Sequence, residues 1–168
     1  MKYPKLYPTQ CLLLIVLMAT LACGWGLTGC TKTTGRYPIL NDYFIYGRVG
    51  GYTAADARAK YFLVNNGQLR KDGTQPMQSP PTGIEQFDFN TRCPEDEYNT
   101  VADLPSSIPA EIKKLNNTTI GMEMPDAGYA DIRARINGTE YKWRIEAGLD
   151  SVSEVVREFY NRCNISLR

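Results

Sequence analysis

Side chains that most often do chemistry in proteins are scarce in this sequence. The chain contains no histidine, which excludes Ser-His-Asp and Cys-His nucleophiles, HExxH zinc sites and a histidine general base. The densest group of carboxylates is Glu95-Asp96-Glu97. Calcium needs oxygen ligands that converge from several positions, and this triplet is instead predicted to form a solvated acidic loop. An active site built from carboxylates or lysine stays possible, although nothing in the sequence assembles one. The sequence therefore predicts no catalytic residue, no metal site and no cofactor, and it indicates a protein that is not an enzyme, with a carboxylate-based hydrolase as the alternative.

Cys30 has the context of a cysteine that is modified with lipid. Two lysines and an almost purely apolar run from Cys11 to Cys23 precede it, and small residues follow that run. This order is typical of a secretory signal peptide. The last four residues, Leu27-Thr28-Gly29-Cys30, match the bacterial lipobox, in which the cysteine is lipidated and becomes the first residue of the mature chain. We predict a lipoprotein signal peptide over residues 1–29 and lipidation of Cys30.

Two other outcomes are open for this amino-terminal region. An uncleaved transmembrane helix is one, although the strongly apolar part is shorter than the roughly 20 residues that a span needs. Cleavage before Cys23 is the other, although Thr20-Leu21-Ala22 fits the lipobox less well. The residue after Cys30 is Thr31 rather than aspartate. Because an aspartate there is the inner-membrane retention signal, we expect localisation in the bacterial cell envelope at the outer membrane.

Cys93 and Cys163 are the two cysteines that remain after cleavage and lipidation. In an oxidising envelope they most economically form one disulfide. That bond would close a loop of about 70 residues and contribute roughly 4 kcal/mol in the loop-entropy model. The alternative is a pair of buried thiols that pack as small hydrophobic groups.

The predicted mature chain keeps 139 of the 168 residues after loss of residues 1–29, which is the size of one ordinary domain. Losing two lysines changes the net charge from +1 to −1. A nearly neutral chain without a basic block is not expected to bind nucleic acid. Residues 30–41 are polar and are predicted to be a tether, and residues 42–168 are predicted to form a single domain.

Three strands are predicted in the first half of this domain. Residues 43–49 are rich in β-branched and aromatic side chains, residues 57–64 are a second candidate strand, and residues 68–71 form the third. Asn66-Gly67 separates the second strand from the third and is a two-residue hairpin signal. These residues predict an antiparallel arrangement.

The middle of the domain is less regular. Residues 72–104 contain four prolines and show no clear periodicity, so they are predicted to be irregular. A short helix is predicted from Pro105 to about Asn116, with three apolar residues on one side: Ile108, Ile112 and Leu115. Residues 121–128 are predicted to be a connection.

The clearest hairpin signal is Asn137-Gly138, which joins predicted strands at 129–136 and 139–146. A two-residue turn there places mostly apolar pairs on one face: Ile136 with Thr139, Ala134 with Tyr141, Ile132 with Trp143, and Ala130 with Ile145. The opposite face carries charged pairs: Arg135 with Glu140, Asp131 with Arg144, and Arg133 with Lys142. We expect this charged face to be solvated, and an anion site at Arg133 and Lys142 is the alternative.

A terminal helix completes the prediction. Ser151-Val152-Ser153-Glu154 is a capping box in which the Ser151 hydroxyl accepts from the Glu154 amide. Apolar residues then recur at helical spacing: Val152, Val155, Val156, Phe159, Tyr160 and Cys163. The expected architecture is α+β, an antiparallel sheet of four or five strands with one or two helices packed on the Trp143 face.

A family resemblance follows from the order of these motifs. Arg48-Val49-Gly50-Gly51-Tyr52 leads into a strand and a hairpin, and Pro125-Asp126 precedes the last hairpin and helix. This order resembles the emfourin-like family of small bacterial proteins, whose founding member inhibits thermolysin-type metalloproteases. The likeness covers most of residues 44–163. The chain departs from the family pattern in its lipobox, its two mature cysteines and its proline-rich insert at 72–105.

The resemblance implies that Gly50, Gly51 and Tyr52 contact a partner protein. The alternative is a strand break, with glycines that permit a bulge and a tyrosine that packs locally. The sequence thus predicts a lipid-anchored, non-enzymatic envelope protein that binds another protein, and the resemblance implies that the partner is a thermolysin-type protease that it inhibits. An accessory structural subunit of an outer-membrane or cell-surface assembly is the alternative function.

Overall fold

A computed structural model describes residues 31–32, 36–39, 41–50, 60–73, 81–124 and 127–165. Within these ranges the chain forms one mixed sheet and three α-helices, so the predicted α+β class is confirmed. The strands are β1 Thr31–Lys32, β2 Tyr43–Val49, β3 Lys60–Asn65, β4 Gln68–Lys71, β5 Thr91–Arg92, β6 Thr118–Ile120, β7 Tyr129–Ile136 and β8 Thr139–Glu146. The helices are α1 Glu95–Val101, α2 Ala110–Lys113 and α3 Glu154–Ile165.

The sheet is larger than the sequence predicts. Seven strands lie in the order β5-β4-β3-β2-β7-β8-β6, and the two-residue β1 adds an eighth beside β5. The prediction of four or five strands is wrong because β5 and β6, of two and three residues, are too short to show alternation. Neighbouring strands are antiparallel except for β6, which runs parallel to β8.

Both predicted hairpin turns are present. Asn66 and Gly67 have φ of 48° and 69°, and Asn137 and Gly138 have φ of 50° and 77°. Two successive residues with positive φ match the type I′ turn, whose twist suits a hairpin. Every predicted pair between β7 and β8 is observed. The described part of the second predicted strand, β3, begins at Lys60, and residues 57–59 lie outside the described residues.

All three helices cover one face of the sheet, which we call the first face. Trp143 and Ile132 lie at its centre and are fully buried. Helical and loop side chains pack over them from Val101, Leu104, Ile108, Ile112, Val156, Phe159, Tyr160 and Cys163. The predicted position of the terminal helix on the Trp143 face is therefore confirmed. Leu115 and Val155, predicted on apolar stripes, are instead 46% and 57% exposed.

The helix starts differ from their predicted positions. Glu95-Asp96-Glu97 forms the first turn of α1 rather than an acidic loop, because carboxylates there interact favourably with the positive end of the helix dipole. The second helix begins after Pro109 and not at Pro105. The third begins after Ser153, whose Oγ accepts a hydrogen bond from the Val156 amide at 3.3 Å, so Ser153 replaces the predicted Ser151 as its cap.

The opposite face, called the second face, is covered and not solvated. Phe87 and Phe89 pack there on Ile45, Tyr61 and Leu63 in a separate apolar cluster. The predicted register is correct, but the chain at 81–90 lies over the charged side of the hairpin, and Tyr37 and Ile39 pack against the same apolar cluster. The length of the predicted irregular region does not indicate which face of the sheet residues 81–90 cover.

Residues predicted to be a tether belong to the fold wherever they are described. Thr31 pairs with Arg92 in β5, and Lys32 pairs with Thr91. Tyr37 donates a hydrogen bond to Asn65 at 3.1 Å. The chain between the predicted lipid and β2 is thus attached to the sheet at two places.

Candidate functional site

The two ends of the strands carry different connections. At one end, called the turn end, lie the tight turns Asn66-Gly67 and Asn137-Gly138. At the other, called the glycine end, lie four glycines that follow or precede strands: Gly50, Gly121, Gly128 and Gly148. The candidate functional site is this glycine end.

Backbone segments pack closely at the glycine end. A Cβ on Gly128, which has φ of +70°, would lie 2.3 Å from the Val49 carbonyl oxygen. A Cβ on Gly148 would lie 2.5 Å from the Met122 carbonyl oxygen. Arg48 Nη2 also donates to the Ala127 carbonyl oxygen at 3.3 Å. These contacts hold the loops of the glycine end together.

The exposed side chains on this framework include apolar, cationic and anionic groups. Met122 and Met124 are 70% and 49% exposed, which is unusual for large apolar residues that follow a strand. The Arg144 guanidinium lies 3.9 Å from the centre of the Tyr129 ring. It also forms ion pairs with Glu123, at 3.6 Å, and with the buried Glu146. The arrangement can bind another surface, but it contains no evident nucleophile.

Of the predicted partner-binding residues, Gly50 lies at the glycine end, directly after β2. Gly51, Tyr52 and the predicted lipidation site Cys30 lie outside the described residues. Sequence reasoning missed Met122 and Met124 because residues 121–128 read as a plain connection. The available signal was the pair of large apolar residues within a turn-forming stretch.

The two mature cysteines lie in the core of the first face. Cys93 is 5% exposed and Cys163 is fully buried. Burial raises the pKa of the Cys163 thiol to about 12, so its reactive thiolate is scarce at neutral pH. The disulfide between them stays a prediction.

Charged groups of the second face form a buried network. Arg133 Nη2 lies 2.9 Å from Asp131 Oδ2, and both residues are at most 6% exposed. Tyr61 donates to the same carboxylate at 2.9 Å. Burial, followed by the Asp131 charge, raises the pKa of Tyr61 well above its ordinary 10.0, so Tyr61 remains a hydrogen-bond donor. Arg133 also donates a hydrogen bond to the Pro81 carbonyl oxygen, which attaches residues 81–90 to the sheet.

A cleft of about 360 Å³ lies beside this network, between residues 82–85 and the turn end of the hairpin. Arg133, Lys142, Glu85 and Glu140 contribute charges of both signs to its lining. Because Arg133 is already paired with Asp131, the observed arrangement favours a structural role for Arg133 over the alternative anion site.

The described residues lack two further features. No group of three or more histidine, cysteine, aspartate or glutamate side chains there could hold a metal ion. In the same part of the chain, no helix has the length and hydropathy needed to cross a membrane.

Comparison of the chain with protein-family models, curated proteins and solved structures gave no match. The emfourin resemblance therefore depends on the short sequence motifs that suggested it.

Proposed function

We propose that this chain is a lipid-anchored, non-enzymatic protein of the bacterial envelope that binds another protein through its glycine end. Cys30 is the anchoring residue, and the outer membrane is the proposed location. The observation that carries the binding proposal is the exposure of Met122 and Met124 at the same end of the sheet as Gly50. That end contains the start of the motif to which the resemblance assigns partner contact.

The size and chemistry of this surface suit a protein partner. Gly50 follows β2 and Met122 follows β6, three strand positions apart, which corresponds to about 14 Å. Tyr129 on β7 and Arg144 on β8 lie between them. Methionine, arginine and tyrosine are enriched in protein interfaces, and methionine adapts its shape to irregular partners.

The emfourin resemblance supplies the proposed class of partner, a thermolysin-type metalloprotease. Paired glycines at Gly50-Gly51 allow a backbone to approach a partner closely, and Tyr52 is an aromatic side chain of the kind that anchors interfaces. An accessory role in an outer-membrane assembly is the second proposed function, and the same surface would serve it.

Cys30→Ala tests the anchor. This variant should lose incorporation of labelled fatty acid and leave the membrane fraction or accumulate unprocessed. Cys23→Ala, inside the predicted signal peptide, is the matched control and should be lipidated normally. Continued lipidation of the Cys30 variant would show that the lipobox is assigned to the wrong cysteine.

Capture of partners from the native envelope, followed by mass spectrometry, tests the binding surface. The double variant Met122→Glu and Met124→Glu should reduce partner recovery at least about tenfold, because two carboxylates would have to be desolvated in the interface. Leu115→Glu is the control, since Leu115 is 46% exposed but lies before β6 rather than after it. Equal recovery with all three proteins would exclude this surface.

Inhibition assays distinguish the two proposed roles. A soluble form that begins at Thr31, and so keeps β1, should inhibit a thermolysin-type protease stoichiometrically without being cleaved. Tyr52→Ala should weaken that inhibition while the circular dichroism spectrum stays unchanged. If the folded protein inhibits no member of a panel of such proteases, the structural-subunit role is favoured.

A further inference from the structure

We infer that the β1–β5 edge of the sheet lies against the lipid headgroups, with the glycine end directed away from the bilayer. The inference rests on the proposed lipidation of Cys30. It concerns a surface and an orientation that the anchor alone would not determine, because a long tether would let the domain tumble.

The structure leaves almost no chain between the anchor and the sheet. Thr31 is already paired with Arg92, and the Cα atoms of Cys30 and Thr31 are about 3.8 Å apart across one peptide bond. Paired residues on antiparallel strands lie about 5 Å apart. The Cα atom of Arg92 is therefore within about 10 Å of the residue that carries the lipid, a distance comparable to the headgroup layer.

The chain beyond β1 is also fixed to the sheet. Arg70 of β4 lies over the Tyr37 ring, with its guanidinium carbon 3.8 Å from the ring centre. Arg70 in turn donates to the Phe89 carbonyl oxygen at 3.1 Å, and Tyr37 donates to Asn65. The described residues on either side of residues 33–35 are therefore both attached to the sheet, and β1 can leave it only by breaking its pairing with β5.

The strand directions place Thr31, the residue after the proposed anchor, and the glycine end at opposite corners of the sheet. Thr31 of β1 pairs with Arg92 of β5, which in turn pairs with Arg70 of β4. Lys32 pairs with Thr91, which in turn pairs with Lys71. Since Arg70 is nearer than Lys71 to the Asn66-Gly67 turn, Thr31 is the residue of β1 nearest the turn end. The β6 edge, which leads into Met122, is seven strand positions from β1, or about 34 Å.

Charge around the β1–β5 edge is mixed. Arg36, Lys71 and Arg92 are exposed cations, while Glu95-Asp96-Glu97 presents exposed carboxylates two residues after Cys93. The short covalent link to the lipid, and not attraction to anionic lipid, must then hold this edge against the surface of the bilayer. The orientation should accordingly be the same on zwitterionic and anionic bilayers and should resist added salt.

Paramagnetic broadening of amide NMR signals tests the orientation directly. The lipidated protein is placed in phosphatidylcholine nanodiscs that contain a small fraction of lipid with a nitroxide headgroup. Broadening should be strongest at Thr91 and Arg92, decrease along the strand order and be absent at Ile120 and Gly121. Uniform broadening, no broadening, or a maximum at β6 would overturn the inference.

Two comparisons sharpen this experiment. A flexible Gly-Ser insertion of about ten residues directly after Cys30, with a span of about 17 Å, should flatten the gradient, and an unchanged gradient would refute the argument from reach. Nanodiscs with phosphatidylglycerol should give the same gradient as phosphatidylcholine, and a gradient seen only with the anionic lipid would also refute it. Mass spectrometry of the protein distinguishes failure of the proposed lipid anchor from failure of the proposed orientation. Absence of lipid on Cys30 would contradict both proposals, whereas a lipidated protein without a gradient would contradict only the orientation.

Discussion

At the scale of single residues, Arg133 shows how much burial changes the meaning of a charged position. Its alternation along β7 marks it as belonging to the face with charged pairs, and the observed pairing with Lys142 agrees. The structure nevertheless buries it beside Asp131 and 5.2 Å from the centre of the Phe87 ring. A charge in such a place is stable only while its partner is present.

Removing Arg133 should therefore be costly. Arg133→Ala leaves the Asp131 carboxylate buried without its cation and should lower the free energy of unfolding by about 3–5 kcal/mol. Arg135→Ala is the matched control two residues along the same strand. Its pair with Glu140 is exposed, so the loss of stability should be much smaller than that of Arg133→Ala. Urea denaturation of both variants measures the difference, and equal small losses would mean that the second face is solvated.

Trp143 provides the corresponding test of the first face. It is fully buried beneath the helices, and Trp143→Ala should lower the free energy of unfolding by about 3–5 kcal/mol. Comparable losses for Trp143→Ala and Arg133→Ala would establish that the sheet has a core on each side. A loss confined to Trp143 would restore the one-sided arrangement expected from the sequence.

At the scale of elements, local chemistry predicts some features and not others. The Asn137-Gly138 turn and the two-residue alternation around it determine the whole register of β7 and β8. In contrast, β5 and β6 form because distant strands offer them an edge, and their two or three residues carry no periodic signal. The start of α1 could have been predicted from the sequence, because a proline followed by three acidic residues, as at Pro94, is typical of the amino terminus of a helix.

The start of α3 gives a prediction at this scale. The Ser153 hydroxyl accepts from the Val156 amide, whereas Ser151 lies in the preceding turn. Ser153→Ala should lower the free energy of unfolding by about 1 kcal/mol, and Ser151→Ala should change it by less than about 0.5 kcal/mol. Thermal and urea unfolding of the two variants provide the measurement. The reverse ranking would move the cap back to Ser151.

At the scale of the whole molecule, the predicted disulfide would join α3 to the chain directly after β5. Protein denatured without reductant should show no reactive thiol, and reduction should release those of Cys93 and Cys163. Denaturation is necessary because the raised pKa of Cys163 would suppress labelling of the native protein even if both residues were thiols. Two thiols labelled after denaturation alone would establish the alternative of buried, reduced cysteines.

The candidate site was predictable only in part at this scale. Gly50 was identified from its motif, but the proximity of Met122 depends on β6 lying next to β8. That parallel contact follows from tertiary packing and leaves no trace in the spacing of residues. Sequence patterns thus indicated one component of the surface, and the strand order supplied the other.

Both borders of the described sheet are short, with two residues in β1 and three in β6. Long unpaired strands recruit strands from other chains and lead to aggregation. Proteins confined to one leaflet meet repeatedly in two dimensions, where such recruitment is a particular hazard. Two or three residues offer few backbone hydrogen bonds to a neighbouring chain, so under the proposed lipid anchor many copies would share a membrane surface without pairing through the described sheet edges.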